Sequence, residues 1–227
     1  MVAAPTPRRM AAIKAALFAA CLLPLASLVY GLVADTLGAN PIEALTRGLG
    51  DWTLRFLLLT LTVTPLRRLA GLPWLIQLRR MLGLFAFFYA VLHFVSYIWL
   101  DQFFDWGEIV RDIVKRPFIT VGFAAFLLLV PLAATSTNAM VRRLGGRRWR
   151  NLHRAVYAIA SFGVLHYWWM VKKDVTQPAI YAVLLIILLG LRLLWRLQEL
   201  QRRDHGLRLA RGPGAQGGGT AAGGRRS

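Results

Sequence analysis

Cysteine and acidic residues are scarce in this chain, with one Cys and ten Asp or Glu among 227 residues. A single thiol, Cys21, makes no internal disulfide. Without a C-x-x-C pair there is no dithiol relay and no thiolate metal site. Cys21 lies inside an apolar run and reads as ordinary packing. The middles of the long apolar runs also lack carboxylates, which disfavours a proton relay and a zinc or copper site at that depth. No dinucleotide fingerprint, P-loop or nucleophile elbow occurs, and no internal repeat is evident. Any electron chemistry here must therefore use a bound cofactor.

What the chain does contain is apolar sequence. Hydrophobic residues make up 57% of it, and the mean hydropathy is +0.51. These values are too apolar for a soluble domain of this size and indicate a membrane protein. The net charge of +18 does not point to nucleic acid, because the basic residues sit between apolar runs rather than on one folded face.

A spanning helix needs about 20 mostly apolar residues. The runs at about 13–34, 50–66, 81–100, 117–138, 152–171 and 176–195 predict an all-α bundle of six transmembrane helices. The first run follows a basic N-terminus and has the length of a retained span rather than a short signal core. The second is the weakest, with Arg55 near one end, able to snorkel. Charge sets the orientation. With both termini cytoplasmic, the inner side holds 21 of the 28 basic residues: three before the first span, four between spans two and three, six between spans four and five, and eight from Arg192 on. That is a strong positive-inside bias and supports the count of six spans.

The expected organisation is a cytoplasmic tail over 1–12, a bundle over 13–198 and a disordered cytoplasmic tail over 199–227. About 30 residues follow the last span, too few for a flavin or nicotinamide domain. The outer loop over 101–116, DQFFDWGEIVRDIVKR, reads as a short interfacial helix or a docking surface. Trp52, Trp99, Trp106, Trp168 and Trp169 fall near the outer interface as an aromatic belt.

His93 and His166 are the residues that point to chemistry. Each is an imidazole in the middle of a long apolar segment, where a titratable group is costly and marks function. Spans three and five run in the same direction. His93 lies about 18 Å from the start of its span and His166 about 21 Å, at 1.5 Å per residue. Two imidazoles at one depth suit the axial positions of a haem iron. The plainer alternative is a pair of polar residues hydrogen-bonded between helices. His153 lies 13 residues before His166, about 20 Å away and about 220° around an ideal helix. It is either a ligand of a second haem or an interface residue beside Trp149 and Arg154. His205, in the polar tail, reads as solvated. Arg79 and Arg80 could pair with a haem propionate, a lipid phosphate or a flavin phosphate, or serve only as topology signals. Gly83, Gly122 and Gly163 allow close helix approach or room for a macrocycle.

The segments RRMLGLFAFFYAVLHFVSYIWL (79–100), WRNLHRAVYAIASFGVLHYWW (149–169) and LTVTPLRRL (61–69) resemble the ferric reductase-like transmembrane superfamily. Within it the chain is similar to the haem-binding membrane subunits of protein-methionine-sulfoxide reductase systems, over about residues 10–200. That resemblance implies one haem b ligated by His93 and His166. It implies a multi-pass protein of the bacterial inner membrane that transfers electrons from the quinone pool, or from the reduced flavin of a cytoplasmic flavin reductase, to a periplasmic molybdopterin subunit that reduces methionine sulfoxide in oxidised proteins. The catalytic step would lie in that partner. FMN is also associated with the family, but no motif for it occurs here. The superfamily usually carries two histidines on each of two helices. Here the third span keeps only His93, with Arg79 or Arg80 where an inner ligand would stand. A stand-alone quinol or ferric reductase of the cytochrome b type, and a transporter or scaffold without redox activity, are the other classes the residues allow.

Overall fold

The computed structural model describes residues 5–210, all helix, turn or loop. In chain order the helices are α1 (Pro7–Val33), α2 (Pro41–Leu69), α3 (Ile76–Ser96), α4 (Trp106–Lys115), α5 (Pro117–Ala134), α6 (Asn138–Leu144), α7 (Gly146–His153), α8 (Ala155–Met170) and α9 (Thr176–Ala210). A 3₁₀ turn, Pro73–Leu75, leads into α3, and a π turn, Tyr97–Asp101, continues it.

Local chemistry sets the starts. Proline at the first helical position loses no intrahelical hydrogen bond, and α1, α2 and α5 begin that way. Thr6, Asn40 and Asp105 cap α1, α2 and α4 by accepting the backbone N–H of Arg9, Glu43 and Glu108.

Among the described residues, four helical stretches are long and apolar enough to cross a membrane: Pro7–Val33, Pro73–Asp101, Pro117–Ala134 and Thr176–Arg203. Their large apolar side chains face outward, as with Val33 at 81% exposed and Ile186 at 69%, which hydrocarbon would cover. Two of the expected spans differ for physical reasons. α2 is long but carries Glu43, Arg47, Asp51 and Arg55 in its first half. α8 has only 16 residues, because the chain breaks at Arg154 between α7 and α8.

The core is built on two extensive helix pairs, α2 with α3 and α5 with α8. Leu61, Ala86, Tyr89 and Ala160 are fully buried in it. One polar device joins α1 to α3 beside Pro24. The Tyr89 hydroxyl accepts from Leu25 N–H at 3.0 Å and donates to Cys21 C=O at 2.8 Å, standing inside the helical ladder of α1. Tyr89→Phe is expected to lower stability by about 1–3 kcal/mol, read as a lower thermal midpoint in detergent. An unchanged midpoint would mean the ladder closes without the hydroxyl.

Packing divides the chain into a unit up to Leu188 and another from Leu189. In the second, helix continues to Ala210. Residues 199–210, expected to be disordered from composition, are therefore helical, since Leu, Arg, Glu and Gln are good helix formers. The glycine-rich remainder of the expected tail lies outside the described residues.

Candidate functional site

His93 sits on α3 and faces α2, while His166 sits on α8 and faces α5. The Nδ1–H of His93 donates to Thr46 C=O at 2.8 Å, and that of His166 donates to Phe118 C=O at 2.7 Å. A carbonyl oxygen can only accept, so Nδ1 carries the proton in both rings. Nε2 is then the unprotonated nitrogen, free to bind a metal. The ring centroids are 6.2 Å apart with an interplanar angle of 73°. Imidazoles joined through one metal, with metal–nitrogen bonds of about 2.0–2.1 Å, have centroids about 6 Å apart. The pair expected from matched depth is thus brought together, with ring centroids 6.2 Å apart and both tautomers fixed by backbone acceptors.

The two halves of the site repeat one local pattern. Thr46 is followed four residues later by Gly50, and Phe118 by Gly122. These positions adjoin on a helix face, so the imidazole that reaches the carbonyl lies over the glycine. A Cβ on Gly50 would stand 3.1 Å from His93 Cε1, and one on Gly122 would stand 2.7 Å from His166 Nδ1. Neither site tolerates a side chain without moving its histidine. Gly163 admits the Leu54 side chain and Gly83 has ordinary contact with Thr60.

Both rings line a cavity of about 440 Å³, within the range of cofactor sites, about 300–1,000 Å³. One end is apolar, with Leu57, Ala125, Leu129 and Ile159. Phe94 and Phe126 form part of the wall, with ring centroids 4.7 Å apart. The other end is polar and its rim includes Asn40, Glu43, Arg47, Asp101 and Arg116, all exposed. The hydroxyl of Thr46, on the cavity lining, is buried without a hydrogen-bond partner. The described residues contain no group of three or more His, Cys, Asp or Glu able to hold a metal ion. Two neighbouring imidazoles in a largely apolar slot fit a planar macrocycle, which would supply four ligands to its iron, better than a tetrahedral zinc, which would need more protein ligands.

The other candidate residues lie elsewhere. His153 ends α7, its ring stacked on Trp149 at 3.9 Å. Its Nδ1 lies 3.1 Å from Trp149 O and its Nε2 3.5 Å from Ser136 Oγ. The turn at Arg154 separates it from α8, so the 220° offset of one continuous helix does not apply. Arg80 donates to Asn138 Oδ1 at 2.8 Å, and Arg79 is half-buried. None of these three lines the cavity. His205 is exposed on α9. Arg55 lies 4.7 Å from the Trp52 ring and donates to Tyr181 Oη at 2.8 Å.

The ferric reductase like transmembrane component family matches residues 49–164, which include His93 and stop two residues before His166. Several curated proteins carrying the name protein-methionine-sulfoxide reductase haem-binding subunit MsrQ are similar over most of the chain. The protein from Herminiimonas arsenicoxydans is 57% identical over 202 residues, covering 88% of this chain and 93% of its own length. That from Azospira oryzae is 61% identical over 195 residues, covering 86% and 84%. That from Bordetella pertussis is 53% identical over 206 residues, covering 89% and 98%.

Proposed function

Because the chain belongs to the MsrQ family of haem-binding subunits within the ferric reductase like transmembrane class, we propose that it holds one haem b between His93 and His166 and carries electrons through the bilayer. It is a multi-pass membrane protein. The reading has six spans, with α2 and α8 crossing inside the bundle and both termini cytoplasmic. The polar mouth of the cavity then faces the periplasm. The donor is a quinol, and the acceptor is a periplasmic methionine-sulfoxide reductase subunit containing molybdopterin. The role that follows is repair of oxidised periplasmic proteins. The single observation carrying this is the His93–His166 pair at 6.2 Å with both Nδ1 atoms tied to backbone carbonyls.

A bound haem supplies reversible one-electron chemistry at its iron. The chain's own residues do the rest. Thr46 and Phe118 hold the two imidazoles in one tautomer and orientation, which raises their basicity as ligands. Phe94, Phe126 and Leu129 exclude water from the slot and so bias its redox potential. Catalysis on methionine sulfoxide falls to the partner.

Two measurements test the scheme. In liposomes, a short-chain quinol is expected to reduce the haem. Reduction by dithionite but never by quinol would contradict the donor. His153→Ala is expected to leave the haem-to-protein ratio unchanged, since His153 lies outside the cavity with its ring stacked on Trp149. A fall by half would assign His153 to a second haem.

A further inference from the structure

Resting on that haem reading, we propose that Arg47 and Arg116 clamp the two haem propionates at the mouth of the cavity. Among the described residues that line the cavity, Arg47 and Arg116 are the only Lys or Arg. Each belongs to the turn that fixes one ligand. Arg47 follows Thr46, whose carbonyl holds His93, and Arg116 precedes by two residues Phe118, whose carbonyl holds His166. The macrocycle therefore meets one guanidinium per histidine, in a cavity whose lining also carries Glu43, Asp51 and Asp101.

The opposite orientation would drive two carboxylates against Leu57 and Leu129, where an unpaired charge is very costly. Thr46 adds a hydroxyl with no partner at the same level. The existing ion pairs leave both cations available. Arg47 pairs with Glu43 at 2.5 Å, but both side chains are about half exposed, and such pairs are weak and exchange readily. Arg116 uses Nε on Asp112 Oδ1 at 2.9 Å. Asp112 is buried and also accepts from the Tyr97 hydroxyl at 3.2 Å. It holds the guanidinium in place, and the terminal Nη groups remain for a second acceptor in fork geometry.

The test uses the full chain in detergent, stripped of haem and reconstituted with iron protoporphyrin IX or with its dimethyl ester, which lacks the carboxylates. The readout is the rate of transfer to excess apomyoglobin, together with stoichiometry. In the unsubstituted protein the free-acid haem is expected to leave about tenfold more slowly than the ester, as hydrogen bonds to charged groups require. R47Q and R116Q should shrink that gap while leaving the ester rate unchanged. R116K, which keeps a cation beside Asp112, should restore part of it. Equal acceleration of both forms would show a structural role and overturn the clamp, as would a gap that survives both glutamine variants. Failure of the unsubstituted protein to bind either form would instead remove the haem reading itself, and the clamp with it.

Discussion

His93→Ala and His166→Ala are each expected to lower the haem-to-protein ratio of the purified protein by about tenfold or more. If the two imidazoles ligate the haem as proposed, losing one would remove one of the protein's two bonds to the iron. Each substitution also removes the hydrogen bond to Thr46 C=O or Phe118 C=O, although each carbonyl keeps its intrahelical donor. His205→Ala, on an exposed position of α9, is the control and should retain full haem. A pyridine haemochromogen assay on matched preparations reads all three. Normal haem in both single variants would sink the ligand assignment.

Gly122→Ala is expected to do nearly as much damage without touching a ligand. The added methyl would sit 2.7 Å from His166 Nδ1, 2.9 Å from Cε1 and 3.1 Å from Cγ. These ring atoms are rigidly connected, so the imidazole must swing or α5 must move away from α8. Either change breaks the bond to Phe118 C=O. Loss of such an orienting partner commonly costs about 10–100-fold in metal affinity. Gly50→Ala should act in the same direction but more mildly, since its contacts to His93 are 3.1–3.6 Å. Gly83→Ala, with its nearest contact at 3.8 Å, should be neutral. Haem content and the low-spin fraction in the visible spectrum order the three variants. An unaffected Gly122→Ala would show that the His166 contact with α5 is dispensable.

The parts of this site that are side chains were legible in the sequence, and the parts that are backbone were not. His93 and His166 stand out as imidazoles in apolar runs, and topology alone matches their depth. The carbonyls of Thr46 and Phe118 carry no residue signature, because every residue has one. Their only trace is the glycine four residues on. Gly122 stands out as a small residue within an apolar run, while Gly50 does not, because it lies at the edge of one. α2 is longer than its apolar stretch, since the charges from Glu43 to Arg55 mask a helix that starts at Pro41. The break at Arg154 was hidden by the opposite effect, an apolar period that continues across it. The outer loop was readable as a short helix. α4 turns Ile109 and Asp112 inward and leaves Trp106, Val110 and Val114 exposed.

The visible absorption spectrum of the detergent-purified protein, oxidised and dithionite-reduced, with haem-to-protein stoichiometry, tests the central claim most directly. Coordination by His93 and His166 predicts a low-spin b-type spectrum in both states and a ratio near one haem per chain. A colourless protein after expression with adequate haem supply, or a haem that is high-spin in both states, would contradict it.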